Sequence, residues 1–179
     1  MLKRTFLLTF LLSLTSLSAT AQSNSSVYTS LGEKQCKTIE SSSDEGGSYV
    51  GMCPGVSGYK LKVHEYDLRQ GITVIAPGGQ EHPLDLSRVV GFHFSSLGEK
   101  AEWRVKNQNG KVVPVALIVR YNLAETDNST KETSYLVVAK ITPAKICVTD
   151  KIAPGANANV AARAAADNAA TKPCLKIEE

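Results

Sequence analysis

An excess of either charge is missing from this chain: 20 Lys and Arg stand against 17 Asp and Glu. A nucleic-acid binder needs a basic stripe or a strong positive excess. The longest basic cluster, around Lys60 and Lys62, is too modest for that, so nucleic acid is set aside. Close cysteine pairs are also missing. Without a C-x-x-C, and with no His within a few residues of any Cys, a zinc site has no ligand spacing to start from. Long apolar runs are scarce. The one run, Phe6 to about Leu17, is broken by Ser and Thr and falls short of the roughly 20 apolar residues a membrane span needs. No cysteine follows it, which argues against a lipid-anchored protein.

Signatures of catalysis and cofactor binding are equally sparse. In "DEGGSYVGMCPG", Gly46 and Gly51 have the spacing of a phosphate-cradling loop, but Met52 and Cys53 stand where the lysine and hydroxyl belong. Around Ser48, Val50 replaces the last glycine of a nucleophile elbow. Ser57 and Lys60 form an S-x-x-K, yet on a strand the two residues point to opposite faces, and the companion motifs are absent. His64 falls on the polar face of an alternating segment, His82 precedes Pro83 in a loop, and His93 sits between Phe92 and Phe94. None is spaced to work with a serine and an acid, and no cofactor motif occurs.

What is present points to export. Lys3 and Arg4 precede the apolar run, and Ala19-Thr20-Ala21 supplies the small residues a signal peptidase reads. A signal peptide over 1–21, cut after Ala21, leaves residues 22–179 as one domain, long enough to bury a core. Losing Lys3 and Arg4 reduces 20 basic residues to 18 against 17 acidic, a formal charge of +1. The expected location is the periplasm or the external medium. All four cysteines, Cys36, Cys53, Cys147 and Cys174, lie in the mature part, and an even count in an exported chain reads as disulfides. Of the three possible pairings, the sequence-local couples Cys36–Cys53 and Cys147–Cys174 are favoured, the first stapling the Gly/Ser loop of 44–55.

Residues 22–30 are polar and read as loose. Residues 59–66 alternate, with Tyr59, Leu61 and Val63 on one side and Lys60, Lys62 and His64 on the other, a half-buried strand. Residues 72–76 read as a second strand, 89–94 as a third strand or extended segment, and 80–87 as loop. Asn109-Gly110 between two β-type runs is a hairpin signature, because a type I′ turn needs positive φ at both positions. Counting back from the turn sets Trp103 against Ala116 and Val105 against Pro114, and predicts a meander of 101–108, 111–121 and 133–141. Pro114 predicts that the hairpin tip runs past the third strand, since a proline cannot donate to a second ladder. The alanine-rich 157–170 predicts a helix that approaches a sheet closely, with Arg163 and Asp167 able to pair at i and i+4. "SLGEK" occurs at 30–34 and 96–100 with unrelated flanks, which reads as a reused turn.

Taken in order, "YTSL", "DEGGSYVGMCPGVSGY", "SLGEKAEWR", "VALIVRY", "YLVVAKI", "CVTD" and "NANVAARAAAD" followed by Cys174 resemble a family of small secreted bacterial proteins of unassigned activity. The resemblance spans nearly all of 28–174 and implies bacterial export and a four-cysteine frame, but no ligand or catalytic residue. The expected fold is mainly β: an antiparallel sheet or sandwich, with one C-terminal helix and two disulfides. The expected function is a non-catalytic binding module. The alternatives are a periplasmic inhibitor of a lysozyme-type hydrolase and an enzyme with a dispersed site. The first candidate surface is the row Lys60, Lys62 and His64, which would favour an acidic protein surface or an anionic envelope polymer. Its plainer reading is a solvated face whose lysines block edge pairing. The sequence carries no indication of oligomeric state.

Overall fold

The computed structural model describes residues 24–44 and 46–176, so the export signal over 1–21 lies outside the described residues. Ten strands among them join in one mixed, mostly antiparallel sheet: β1 Ser25–Ser30, β2 Lys37–Ser42, β3 Ser48–Pro54, β4 Lys60–Tyr66, β5 Arg69–Ile75, β6 Glu81–Pro83, β7 Ser95–Gln108, β8 Lys111–Ala124, β9 Glu132–Ile141 and β10 Ile146–Ile152. A single turn of helix, α1 (Leu86–Val89), precedes β7, and α2 (Ala158–Asp167) follows β10. The strand order is β10-β9-β8-β7-β5-β4-β3-β2, with β1 added beside β7 and β6 beside β5. The one parallel contact, Arg69 with Ser95, is the seam between two antiparallel halves.

The halves face each other across one core. Leu61, Val63, Ile72 and Val74 come from β4 and β5, and Trp103, Leu117, Val119, Tyr121 and Val137 from β7 to β9. These residues alternate with outward ones along each strand, as a sheet with one buried face requires. A second cluster lies on the outer side of the β8–β9 half, where Ala162, Ala166 and Ala169 meet Ala116, Ile118, Leu136 and Val138. Small side chains on the helix permit the close approach that the alanine content predicts.

Both disulfides are the expected ones. Cys36–Cys53 ties the residue before β2 to β3. Cys147–Cys174 holds the C-terminal segment against β10, where the Leu175 amide donates to the Val148 carbonyl at 2.8 Å. Two such bonds are the chemistry of an extracytoplasmic, oxidising compartment. Among the described residues no helix is long and apolar enough to cross a membrane.

The hairpin turn is type I′, with φ of 52° at Asn109 and 79° at Gly110. Val105 opposes Pro114 as counted, but Trp103 opposes Leu117 rather than Ala116, because a bulge adds one residue to β8. β8 meets β9 only from Ala116 onward, so the tip overhangs as Pro114 requires. The Ser57 hydroxyl donates to the Val112 carbonyl on that overhang at 2.5 Å.

Four local expectations change. Residues 25–30 are a strand, not a loose segment. Residues 48–54 of the glycine-rich stretch are strand β3, so only its first part is loop. Within 80–94 the short β6 and α1 replace the predicted loop and strand, and Phe92 is exposed rather than in a ladder. The two SLGEK copies are not equivalent turns. The first ends β1 and enters a 3-10 turn, while the second is a bulged part of β7, and the copies touch where the Leu31 amide donates to the Glu99 carbonyl at 2.8 Å.

Candidate binding face

β4 alternates as its sequence dictates. Leu61 and Val63 are buried in the core, and Lys60, Lys62, His64 and Tyr66 face outward. The strand lies between β3 and β5, with Lys62 beside Met52 and Thr73, and His64 beside Val50 and Gly71. Its lysines therefore guard no edge. Instead they form part of a concave outer face built by β2 to β6.

Two hollows share this face. The larger, about 640 Å³, is walled by Ile39, Val50 and Met52 on one side and Glu81 and Pro83 on the other, with Lys62 and Thr73 also lining it. The smaller, about 280 Å³, lies between Gly71, Leu86 and Phe92. His64, Tyr66, Pro83 and Asp85 line both.

The charges here are largely spent. Lys62 pairs with Glu81. Burial pushes the His64 pKa below its ordinary value and the Lys62 ammonium pushes it further, against the pull of Asp85. His64 is therefore neutral at pH 7, and of the three residues in the row only Lys60 keeps a charge that no ion pair engages among the described residues. The imidazole lies over Gly71, where an added Cβ would meet Nε2 at 2.2 Å. Gly71→Ala should displace the ring into solvent, so NMR titration should show His64 moving up toward 6.5 from its lower wild-type value. An unchanged titration would mean the ring does not occupy that position.

Asp85 belongs to this face although nothing in the local sequence marks it. Its backbone is left-handed (φ 47°, ψ 44°), a region that Asp tolerates better than most residues. Among the described residues no hydrogen bond or ion pair engages its carboxylate. At the far end of the face, Arg69 pairs with Asp67 and with Asp127 (3.1 Å), donates to the Phe92 carbonyl at 2.8 Å and lies 4.7 Å over the Phe94 ring. Asp127 also accepts from the Phe94 amide at 2.9 Å, which does most to lower its pKa, and from His93 at 3.3 Å. This cluster clamps the loop after β8 to residues 92–94. Among the described residues His64 has no hydrogen bond to a hydroxyl, thiol or carboxylate, so no nucleophile–base pair is formed there.

A second polar constellation, on the opposite half, escaped the sequence reading. Arg163 and Asp167 do not pair with each other; both reach down to β7. Arg163 Nε donates to Glu102 Oε1 at 2.6 Å, while Arg104 grips Asp167 with Nε and Nη2 at 2.8 and 2.9 Å. Ser26 joins the two pairs, donating to Glu102 and accepting from Arg104 Nη1, both at 2.5 Å. Asn24 bonds Asp167 (2.8 Å), and Tyr28 accepts from Arg163 (2.8 Å). The signal available in the sequence was "AEWRV", where Glu102 and Arg104 alternate with the core-facing Ala101, Trp103 and Val105. This constellation latches β1 and α2 to β7.

No protein-family model matches the chain, and no curated protein or solved structure is similar to it.

Proposed function

We propose that the chain is an extracytoplasmic, non-catalytic binding module, exported through cleavage near Ala21 to the periplasm or medium, and that the outer face of β2 to β6 receives a protein partner. The supporting observation is an asymmetry between the two halves. The outer side of β8–β9 is sealed by α2, whereas among the described residues no element lies across the matching side of β3–β4. That side is concave and lined by apolar as well as polar groups, the composition of a recognition surface. The sequence-level resemblance to small exported bacterial proteins supports the same compartment.

The test is partner capture from the native cell envelope at low and moderate salt, using wild type, Tyr66→Ala and the Lys60→Glu/Lys62→Glu double variant. Tyr66→Ala should lose the partner, and the charge reversal should alter its salt dependence. A partner set identical across all three proteins and both salts would remove this face from consideration. One observation favours the inhibitor reading as a second possibility: the β7–β8 tip projects beyond β9 like the inserting finger of an inhibitor. In that case the captured protein would be a hydrolase, and its capture would depend on residues 107–112 rather than on Tyr66.

A further inference from the structure

Three large apolar side chains stand in water at one end of the proposed binding face and in the turn beside it. Tyr66, Leu68 and Phe92 are 52%, 54% and 55% exposed. Tyr66 and Phe92 line the smaller hollow together with Asp85. Leu68 occupies the β4–β5 turn, where it and Asp67 have φ of 59° and 50°. Two-residue turns with this geometry favour Asn and Gly, and the left-handed backbone disfavours a bulky residue there. Here the turn carries a leucine and presents it to solvent.

The charges facing this end complete the pattern. Glu81 neutralises Lys62, and Asp67 with Asp127 neutralises Arg69. Arg88, three residues beyond Asp85, makes no ion pair with it. Glu40 and Asp85 are the carboxylates of the two hollows that no ion pair engages among the described residues. The charge left for a partner to meet in the hollows is therefore negative.

We infer that this face recognises a cationic, apolar segment of a protein partner: a lysine or arginine set against Asp85, with neighbouring apolar side chains against Tyr66, Leu68 and Phe92. The inference rests on the reading of β2 to β6 as the binding face and specifies the chemistry of what binds there. Aromatic anchors beside one directed charge supply most of the energy in such contacts, and the charge supplies selection and salt dependence.

Two short synthetic peptides serve as probes, one alternating leucine with lysine and one alternating leucine with glutamate, each titrated into the isotope-labelled protein. The lysine peptide should shift the amides of Tyr66, Leu68, Asp85 and Phe92, and the shifts should weaken with salt. Asp85→Asn keeps the left-handed backbone accessible while removing the charge, and should weaken binding up to about fivefold, the upper range for one exposed ion pair. Tyr66→Ala should weaken it by more than about fivefold, as an anchor residue does. If the glutamate peptide binds these amides as well or better, or if neither peptide moves them, the inference fails. The face itself is judged separately. Loss of the envelope partner on Tyr66→Ala would uphold the face even if the cationic chemistry were wrong.

Discussion

Trp103→Ala should lower the unfolding free energy by about 3 to 5 kcal/mol, a large share of what a domain of this size possesses. The indole is fully buried between the halves of the sheet, 6.0 Å from the Tyr59 ring, and its Nε1 donates to Thr29 Oγ1 at 2.9 Å. Truncation therefore leaves a cavity where β7 and the β3–β4 turn meet, and also frees β1 from one of its side-chain bonds. Trp103 is the chain's only tryptophan, so wild-type unfolding can be followed by its fluorescence and the variant by circular dichroism. An unchanged denaturant midpoint would mean that the two halves do not close on this residue.

The second large effect is expected from Arg104→Ala. The Arg104 side chain is 9% exposed, and it holds Asp167 through two bonds, Ser26 and the Asn24 carbonyl. Removing one partner of a buried pair typically costs about 3 to 5 kcal/mol, and the lower end applies because Asp167 itself is about one-third exposed. Acid should produce a related loss in the wild type. Burial raises the Glu102 carboxyl, but hydrogen bonds from Arg163 and Ser26 outweigh it and leave the pKa below 4.5. Asp167 is likewise held below 3.8 against its burial, chiefly by the Arg104 hydrogen bond. Since both folded-state values are depressed, the stability they confer is present above these pH values and is lost as pH falls through the folded ones. Urea midpoints between pH 7 and pH 3 should fall for the wild type, and fall less steeply for Arg104→Ala. Equal slopes would show that the Arg104–Asp167 pair contributes nothing to the acid response.

Alternation was the most legible feature. It placed Leu61 and Val63 inside and Lys60, Lys62 and His64 outside, and Asn109-Gly110 with Pro114 defined both the hairpin and its overhang. The bulge beside Arg104 leaves no mark in the sequence, so counting from the turn sets Trp103 one residue from its true partner. β1 reads as loose because it contributes little apolar area. What holds it is its ladder with β7, together with Ser26 and Tyr28 bonding residues far along the chain. The candidate face was half visible. Its strand was clear, but Asp85 and Phe92 arrive from beyond β5, Glu81 neutralises Lys62 across that strand, and no sequence pattern reports that a sheet face lacks a covering helix.

The latch between β1 and α2 has a consequence for the order of assembly. Chains are made from the amino terminus, so β1 exists long before anything it can hold. Its ladder partner β7 follows about seventy residues later, and Arg163 and Asp167 come almost at the end. The first described strand can therefore pair with β7 well before α2 exists, but its latch to α2 stays open until that helix has been made. Closing that latch joins the first described strand to the C-terminal helix, so a chain truncated before Arg163 should keep the β1–β7 ladder but lose the bonds that Asn24 and Tyr28 make to α2.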